Sequence, residues 1–152
     1  MTILSAQSIR ERGIFTPFCE RTKEFGMSYG LSSAGYDVRI AETMNIPPGG
    51  AALASTLEHF NMPNDVLGKV ADKSTWARRF LAVQNTIIEP GWRGFLTLEL
   101  SNHSEDWIVL QAGMPIAQII LHLLDKPTEQ PYEGKYQDQK QGAVEAILEG
   151  MP

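Results

Sequence analysis

A chain of 152 residues, 43% hydrophobic and 20% charged, is long enough to bury a core of its own as one domain and too apolar to be a disordered tail. A formal net charge of −5 and a pI near 5.2 argue against a broad phosphate-backbone partner, though not against a small ligand in a basic pocket. The single cysteine, Cys19, excludes an internal disulfide and a Cys-rich metal site and fits a reducing, cytoplasmic setting.

No apolar stretch approaches membrane-spanning length, and the first residues lack the charged-then-apolar pattern of a signal peptide. Ile3 to Gly13 predicts a short helix, with Ser5 as N-cap, Ile9 on an apolar side and a closing glycine. Thr16 to Leu31 mixes Pro, Gly and charges without a period and reads as a loop. Ser32-Ser33-Ala34-Gly35 leads into a strand at Tyr36–Ile40, with Asp37 and Arg39 on one face and Val38 and Ile40 on the other. Pro47-Pro48-Gly49-Gly50 stops the chain before a strand-like run, AALASTLEHFNMP. Another strand follows at Leu67–Asp72.

The segment Ala82–Asn102, AVQNTIIEPGWRGFLTLELSN, reads as strand–turn–strand around Glu89-Pro90-Gly91-Trp92-Arg93-Gly94, a short hairpin bracketed by two acids. Leu96, Leu98 and Leu100 share one face of its second strand, and Phe95, Thr97, Glu99 and Ser101 share the other. An isolated strand glutamate such as Glu99 ordinarily faces water. Trp107–Leu110 and Ile116–Leu124 continue the pattern. Short strands separated by Pro/Gly turns point to a closed or sandwiched all-β domain. The polar tail, Pro127–Gly142, looks like an arm without a core.

Asp72-Lys73-Ser74-Thr75-Trp76-Ala77-Arg78-Arg79 places hydroxyls after a strand, with Lys73 before them and Arg78 four residues beyond Ser74. This pattern suits either an anion site at a helix start or a capped surface helix with solvated charges. Phosphate-loop and dinucleotide glycine motifs are absent, as is the H-x-E/P-C-x-x-C zinc signature. His59, His103 and His122 are scattered without metal-ligand spacing.

Seven segments in order, ILSAQSIRERG, SAGYDVRI, LASTLEHFNMP, KSTWARR, IIEPGWRGFLTLELSN, GMPIAQ and PYEGKYQDQ, resemble the dCTP deaminase/dUTPase superfamily. The resemblance implies an all-β-dominated, distorted β-barrel (jelly-roll-like) dUTPase fold with a short N-terminal helix. It implies a β-barrel nucleotide-binding domain over residues 1–126, and a C-terminal arm, 127–152, that closes over the active site. It also implies a homotrimer with shared sites, and Mg²⁺ carried on the nucleotide triphosphate, with no zinc and no protein metal site. Nucleic acid and membrane are not expected partners.

The deaminase branch carries a glutamate ten residues after the acid of the turn, and Glu99 occupies that position after Glu89. Glu99 is therefore expected to act as the catalytic base, with Ser74 and Arg78 beside it. Lys73 and Thr75 would line the same loop, and Asn85, Trp92 and Thr97 would contact substrate. Glu89 would hold the sugar hydroxyl. Gln118, Tyr132, Lys135 and Gln139 would complete the base and phosphate contacts. The implied activity is hydrolytic deamination of dCTP to dUTP and ammonia. The alternatives are pyrophosphatase action on dUTP or dCTP, alone or combined with deamination, and a nucleotide-binding regulator without turnover.

The chain departs from the family pattern in three places. Lys73-Ser74-Thr75 stands where Arg-Ser-Ser is usual, Glu89 replaces Asp, and Gln84-Asn85-Thr86 replaces smaller residues. The two ends of an amide side chain there would suit either cytosine or uracil.

Overall fold

The computed structural model describes residues 2–150. The elements are β1 (Thr2–Ile3), α1 (Ala6–Arg12), β2 (Phe15–Thr16), β3 (Thr22–Glu24), β4 (Met27–Leu31), β5 (Tyr36–Arg39), β6 (Met44–Ile46), β7 (Ala51–Asn61), β8 (Val66–Asp72), α2 (Ser74–Ala77), β9 (Leu81–Val83), β10 (Ile87–Ile88), β11 (Arg93–Asn102), β12 (Ile108–Leu110) and β13 (Pro115–Leu123). The expected all-β fold is borne out. A seven-stranded sheet runs β10-β8-β13-β5-β4-β3, with β1 also on β13 and the sheet curled into a half-barrel. A second sheet runs β2-β7-β11-β9, and β12 pairs β6.

Helix α1 forms where expected, between Ser5 and Gly13, and Gly13 closes it in the left-handed conformation. The Ser5 side chain makes no capping bond; its hydroxyl lies 3.4 Å from that of Ser8. The loop expected at Thr16–Leu31 is instead largely a hairpin. Strands β3 and β4 pair through a two-residue turn at Phe25-Gly26, both with positive φ (55° and 71°). Asn, Asp or Gly usually fills the first of those positions, and Phe25 conceals the turn.

The hairpin expected over 82–102 is borne out at its open end, where Ala82 and Val83 of β9 pair with Ser101 and Leu100 of β11, and corrected next to the turn. There β10 and β11 do not pair with each other. Strand β10 joins β8 in the large sheet, while β11 pairs with β7 and β9 in the smaller one. Apolar runs of this kind fix strand identity but leave partner choice to longer-range packing.

Phe15 stacks on Tyr36 with ring centroids 4.1 Å apart and meets Phe60 edge-on at 5.0 Å. Phe60 in turn meets Trp92 at 5.9 Å. This aromatic line runs through the core to the residue after the turn glycine, Gly91. Burying such rings is the largest packing contribution available to a small core. Among the described residues no helix is long and apolar enough to cross a membrane.

Candidate active site

The turn between β10 and β11 is built by its sequence. Trp92 N–H donates to the Glu89 carbonyl at 3.1 Å, with Pro90 and Gly91 (φ 85°) at the central positions. Proline then a positive-φ glycine is the requirement of a type II turn. Because β10 and β11 diverge from that turn into different sheets, a pocket of about 480 Å³ opens between them. This size suits a small-molecule ligand.

Glu99, Glu89, Asn85, Trp92, Thr97, Tyr132 and Gln139 all line this pocket, which gathers both acids and part of the arm as the sequence suggested. Thr86, Leu53, Tyr136 and Val144 line it too and were not anticipated. Among the described residues no lysine, arginine or histidine is on its wall. The alternation read along β11 holds on the core side at Leu98 and Leu100, which are buried; half-buried Leu96, at the irregularity between Phe95 and Thr97, packs on the core and also lines the pocket. The other face is not simply solvated, because Thr97 and Glu99 point into the pocket.

Glu99 remains accessible, yet partial burial of its carboxyl pushes its pKa above the usual carboxylate range, and its own backbone N–H offsets only part of this. No ion pair reaches Glu99 or Glu89 among the described residues. A carboxyl whose pKa is raised by burial, with no cation paired to it among the described residues and facing a pocket, is equipped to take and return a proton.

The arm folds back on the turn of its own chain. Tyr132 N–H donates to the Pro90 carbonyl (2.9 Å), Trp92 Nε1 to Tyr136 O (2.6 Å), and Phe95 N–H to Gln139 O (2.9 Å). The Gln139 amide and the Val144 N–H both donate to the Thr97 hydroxyl. A Cβ on Gly94 (φ 145°) would lie 2.8 Å from the Gln139 nitrogen, so only glycine lets the arm approach this closely. Lys135 is not on the pocket wall; its ammonium donates to the Ile147 carbonyl and lies over the Tyr136 ring.

The remaining expected residues lie apart. Lys73, Ser74 and Gln118 line a second, polar cleft with Asp37, Asp72, Ser32 and Arg21, while Thr75 and Arg78 are exposed and line neither pocket. Helix α2 is one turn long, anchored by buried Trp76, whose Nε1 donates to the Pro115 carbonyl at 2.7 Å. The Lys73 ammonium is buried and donates to Asp37 Oδ2 at 2.7 Å, so it is not a solvated surface charge. Asp37 Oδ1 is buried with no hydrogen-bond partner among the described residues. Gln118 Nε2 donates to the Ser32 hydroxyl at 3.1 Å.

Of the two amides at positions 84 and 85, expected to suit either base, that of Asn85 is not free to read one. Both its ends are engaged by β11, with Nδ2 donating to the Thr97 carbonyl (2.7 Å) and Oδ1 accepting from the Glu99 N–H (3.0 Å). Flipping the amide would break both bonds. Among the described residues no group of three or more His, Cys, Asp or Glu is arranged to hold a metal ion.

Comparison with known proteins accords with this geometry. A dCTP deaminase-like family model matches residues 31–124. A dCTP deaminase of Campylobacter hominis is 38% identical, with 95% of this chain and 93% of that protein covered. The aligned span of 177 positions exceeds the 152 residues of this chain, so that relative carries insertions absent here. Among solved structures, a 2′-deoxycytidine 5′-triphosphate deaminase from Agrobacterium tumefaciens superposes with a TM-score of 0.65 at 17% identity, covering 80% of this chain and 47% of that one. A dUTPase from phage phi11 of S. aureus, described with a coordinated structural Mg(II) ion, gives 0.58 at 17% identity, covering 77% and 91%. These two likenesses show the fold; the family match and the sequence identity show the lineage. The chain belongs to the dCTP deaminase-like family.

Proposed function

We propose that this chain hydrolyses the C4–N bond of the cytosine in dCTP, taken as its Mg²⁺ complex, to give dUTP and ammonia. The observation that carries the reading is Glu99, a carboxylate with a raised pKa on the wall of a pocket that holds aromatic rings and no basic side chain. Such a pocket suits an uncharged base and sugar. It leaves the triphosphate to be neutralised elsewhere.

In the proposed reaction Glu99 accepts a proton from water as the water oxygen bonds to C4, and returns it to N3. A second proton passes from the C4 hydroxyl to the amine. The C4–N bond then breaks, and the C4 carbonyl forms as ammonia leaves. Glu89, exposed on the same pocket, takes the sugar hydroxyl. Ser74, Thr75 and Arg78, with Lys73 and Gln118, serve the reacting centre and phosphates from a neighbouring subunit of a homotrimer. Their absence from the wall of the Glu99 pocket supports a site shared between chains.

The test is incubation with dCTP–Mg²⁺ and, separately, dUTP–Mg²⁺, with products resolved by ion exchange. Wild type is expected to yield dUTP from dCTP, and Glu99→Gln is expected to lower kcat by about 10²–10⁴-fold. The presence of Glu89 on the pocket favours one second reading, pyrophosphate release from dUTP or dCTP. Formation of dCMP from dCTP, or cleavage of dUTP alone, would assign the chemistry to Glu89 instead.

A further inference from the structure

Strand β9 ends before β11 is fully covered. Their pairing runs from Leu81–Asn102 through Ala82–Ser101 to Val83–Leu100, and one more backbone bond, Gln84 N–H to Glu99 O, follows at 2.8 Å. Beyond it the chain turns away towards β10, and the backbone of residue 85 no longer serves the ladder. Its side chain does. The Asn85 amide bonds the Thr97 carbonyl and the Glu99 N–H together, presenting a donor and an acceptor much as the next peptide group of a strand would.

We propose that Asn85 is a positioning residue for Glu99, its amide replacing the missing end of β9 and fixing the backbone on both sides of Leu98. The proposal rests on the reading of Glu99 as the base. Three features give it force. The two peptide groups held by Asn85 bracket the residue pair whose side chains, Thr97 and Glu99, face the pocket. On the other edge of β11 the pairing with β7 is regular from Thr97 to Ser101, opposite Ser55 to Ala51, so without the Asn85 amide the Thr97–Glu99 stretch would be held by a ladder on one side only. The Glu99 carboxyl has no ion pair to steer it, so its direction depends on the backbone. A misplacement near 1 Å in a catalytic group costs on the order of 10²-fold in rate.

Few other charges are positioned to govern the titration of Glu99. Glu89, Tyr132 and Tyr136 share the pocket. Across β7, Leu53 stands opposite Glu99, Glu58 is bonded to Arg39, and His59 packs edge-on against Phe95. On the remaining sides, Asp72 accepts from the Val83 N–H, and His103 is bonded to the Ser101 hydroxyl. From the arm, exposed Glu145 lies between two residues of the pocket wall, Val144 and Ala146.

The test compares wild type with Asn85→Ala, Asn85→Asp and Glu99→Gln, measuring kcat and KM for dCTP–Mg²⁺ across the pH range together with thermal stability. In Asn85→Ala, kcat is expected to fall by about 10–100-fold with KM nearly unchanged. The freed carboxyl gains water, so the acidic limb of the pH profile moves down. In Asn85→Asp a like charge beside Glu99 moves the same limb up. If Glu99→Gln is inactive while both Asn85 variants keep the wild-type kcat and acidic limb, the proposal is overturned and the assignment of Glu99 stands. A lower melting temperature with unchanged kinetics overturns it equally. If Glu99→Gln turns over like wild type, the assignment of Glu99 itself falls. Should Asn85→Ala fail to fold, Asn85→Asp, which keeps the shape and the acceptor but loses the donor to the Thr97 carbonyl, decides the matter through kcat: a fall of about 10-fold or more with KM nearly unchanged supports the proposal, and a wild-type kcat overturns it.

Discussion

The pocket around Glu99 and the cleft around Lys73 treat charge in opposite ways. In the cleft an ammonium and a carboxylate are buried together, and Lys73 and Asp37 neutralise each other at 2.7 Å. In the pocket two carboxylates face the same space with no cation on the wall, and the pKa of Glu99 is raised by burial. Paired charge builds architecture. Unpaired charge on a pocket wall is a strain the fold tolerates where reactivity is needed.

The sharpest way to break the comparison is Glu99→Gln. Its expected loss of about 10²–10⁴-fold in kcat equals roughly 3–5 kcal/mol of barrier. The folded pKa of Glu99 lies above its unfolded value, so its stabilising share is present below the unfolded pKa and lost as pH rises through the folded one. Near neutrality the substitution should therefore leave the melting temperature unchanged or higher, as calorimetry would show. The acidic limb of wild-type kcat/KM should lie above the ordinary carboxylate range.

The cleft should behave in the opposite sense. Asp37→Ala leaves the Lys73 ammonium buried and unpaired, and is expected to destabilise by about 3 kcal/mol in denaturant titrations. Arg78→Ala touches neither pocket and should spare stability. If Arg78 holds substrate across a subunit boundary, the variant should lose about 1.5–3 kcal/mol in kcat/KM through a charge-assisted bond. Gly94→Ala is the mildest. It forces a Cβ against Gln139 and should cost about 1 kcal/mol, read as faster proteolysis of the arm with the barrel intact.

Legibility in the sequence followed the range of the interaction. Helix α1 was readable because its stop signal is local, a glycine at position 13 where a left-handed residue is required. The turn at Glu89–Trp92 was readable for the same reason. The divergence of β10 and β11 was not, since nothing within Ala82–Asn102 states that β8 and β7 compete for the two strands. The hairpin at Phe25-Gly26 was hidden by an aromatic at a positive φ. For the site, residues grouped by the turn and the arm did converge. The pairing of Lys73 was not legible because its partner, Asp37, is 36 residues away, nor was the bonding of Asn85, because an amide that can read a base can equally complete a ladder.

The arm is joined to the turn largely through backbone bonds and through exposed pairs such as Arg93–Asp138, with Tyr132 its contribution to the packed core. Segments fastened in that manner exchange their amide hydrogens through local openings far cheaper than global unfolding. Residues 131–144 should thus exchange as one early cooperative unit while β7, β11 and β13 stay protected. Because the same residues form one wall of the Glu99 pocket, opening of this unit is, on the proposed reading of that pocket, the motion that would admit a nucleotide and release its product.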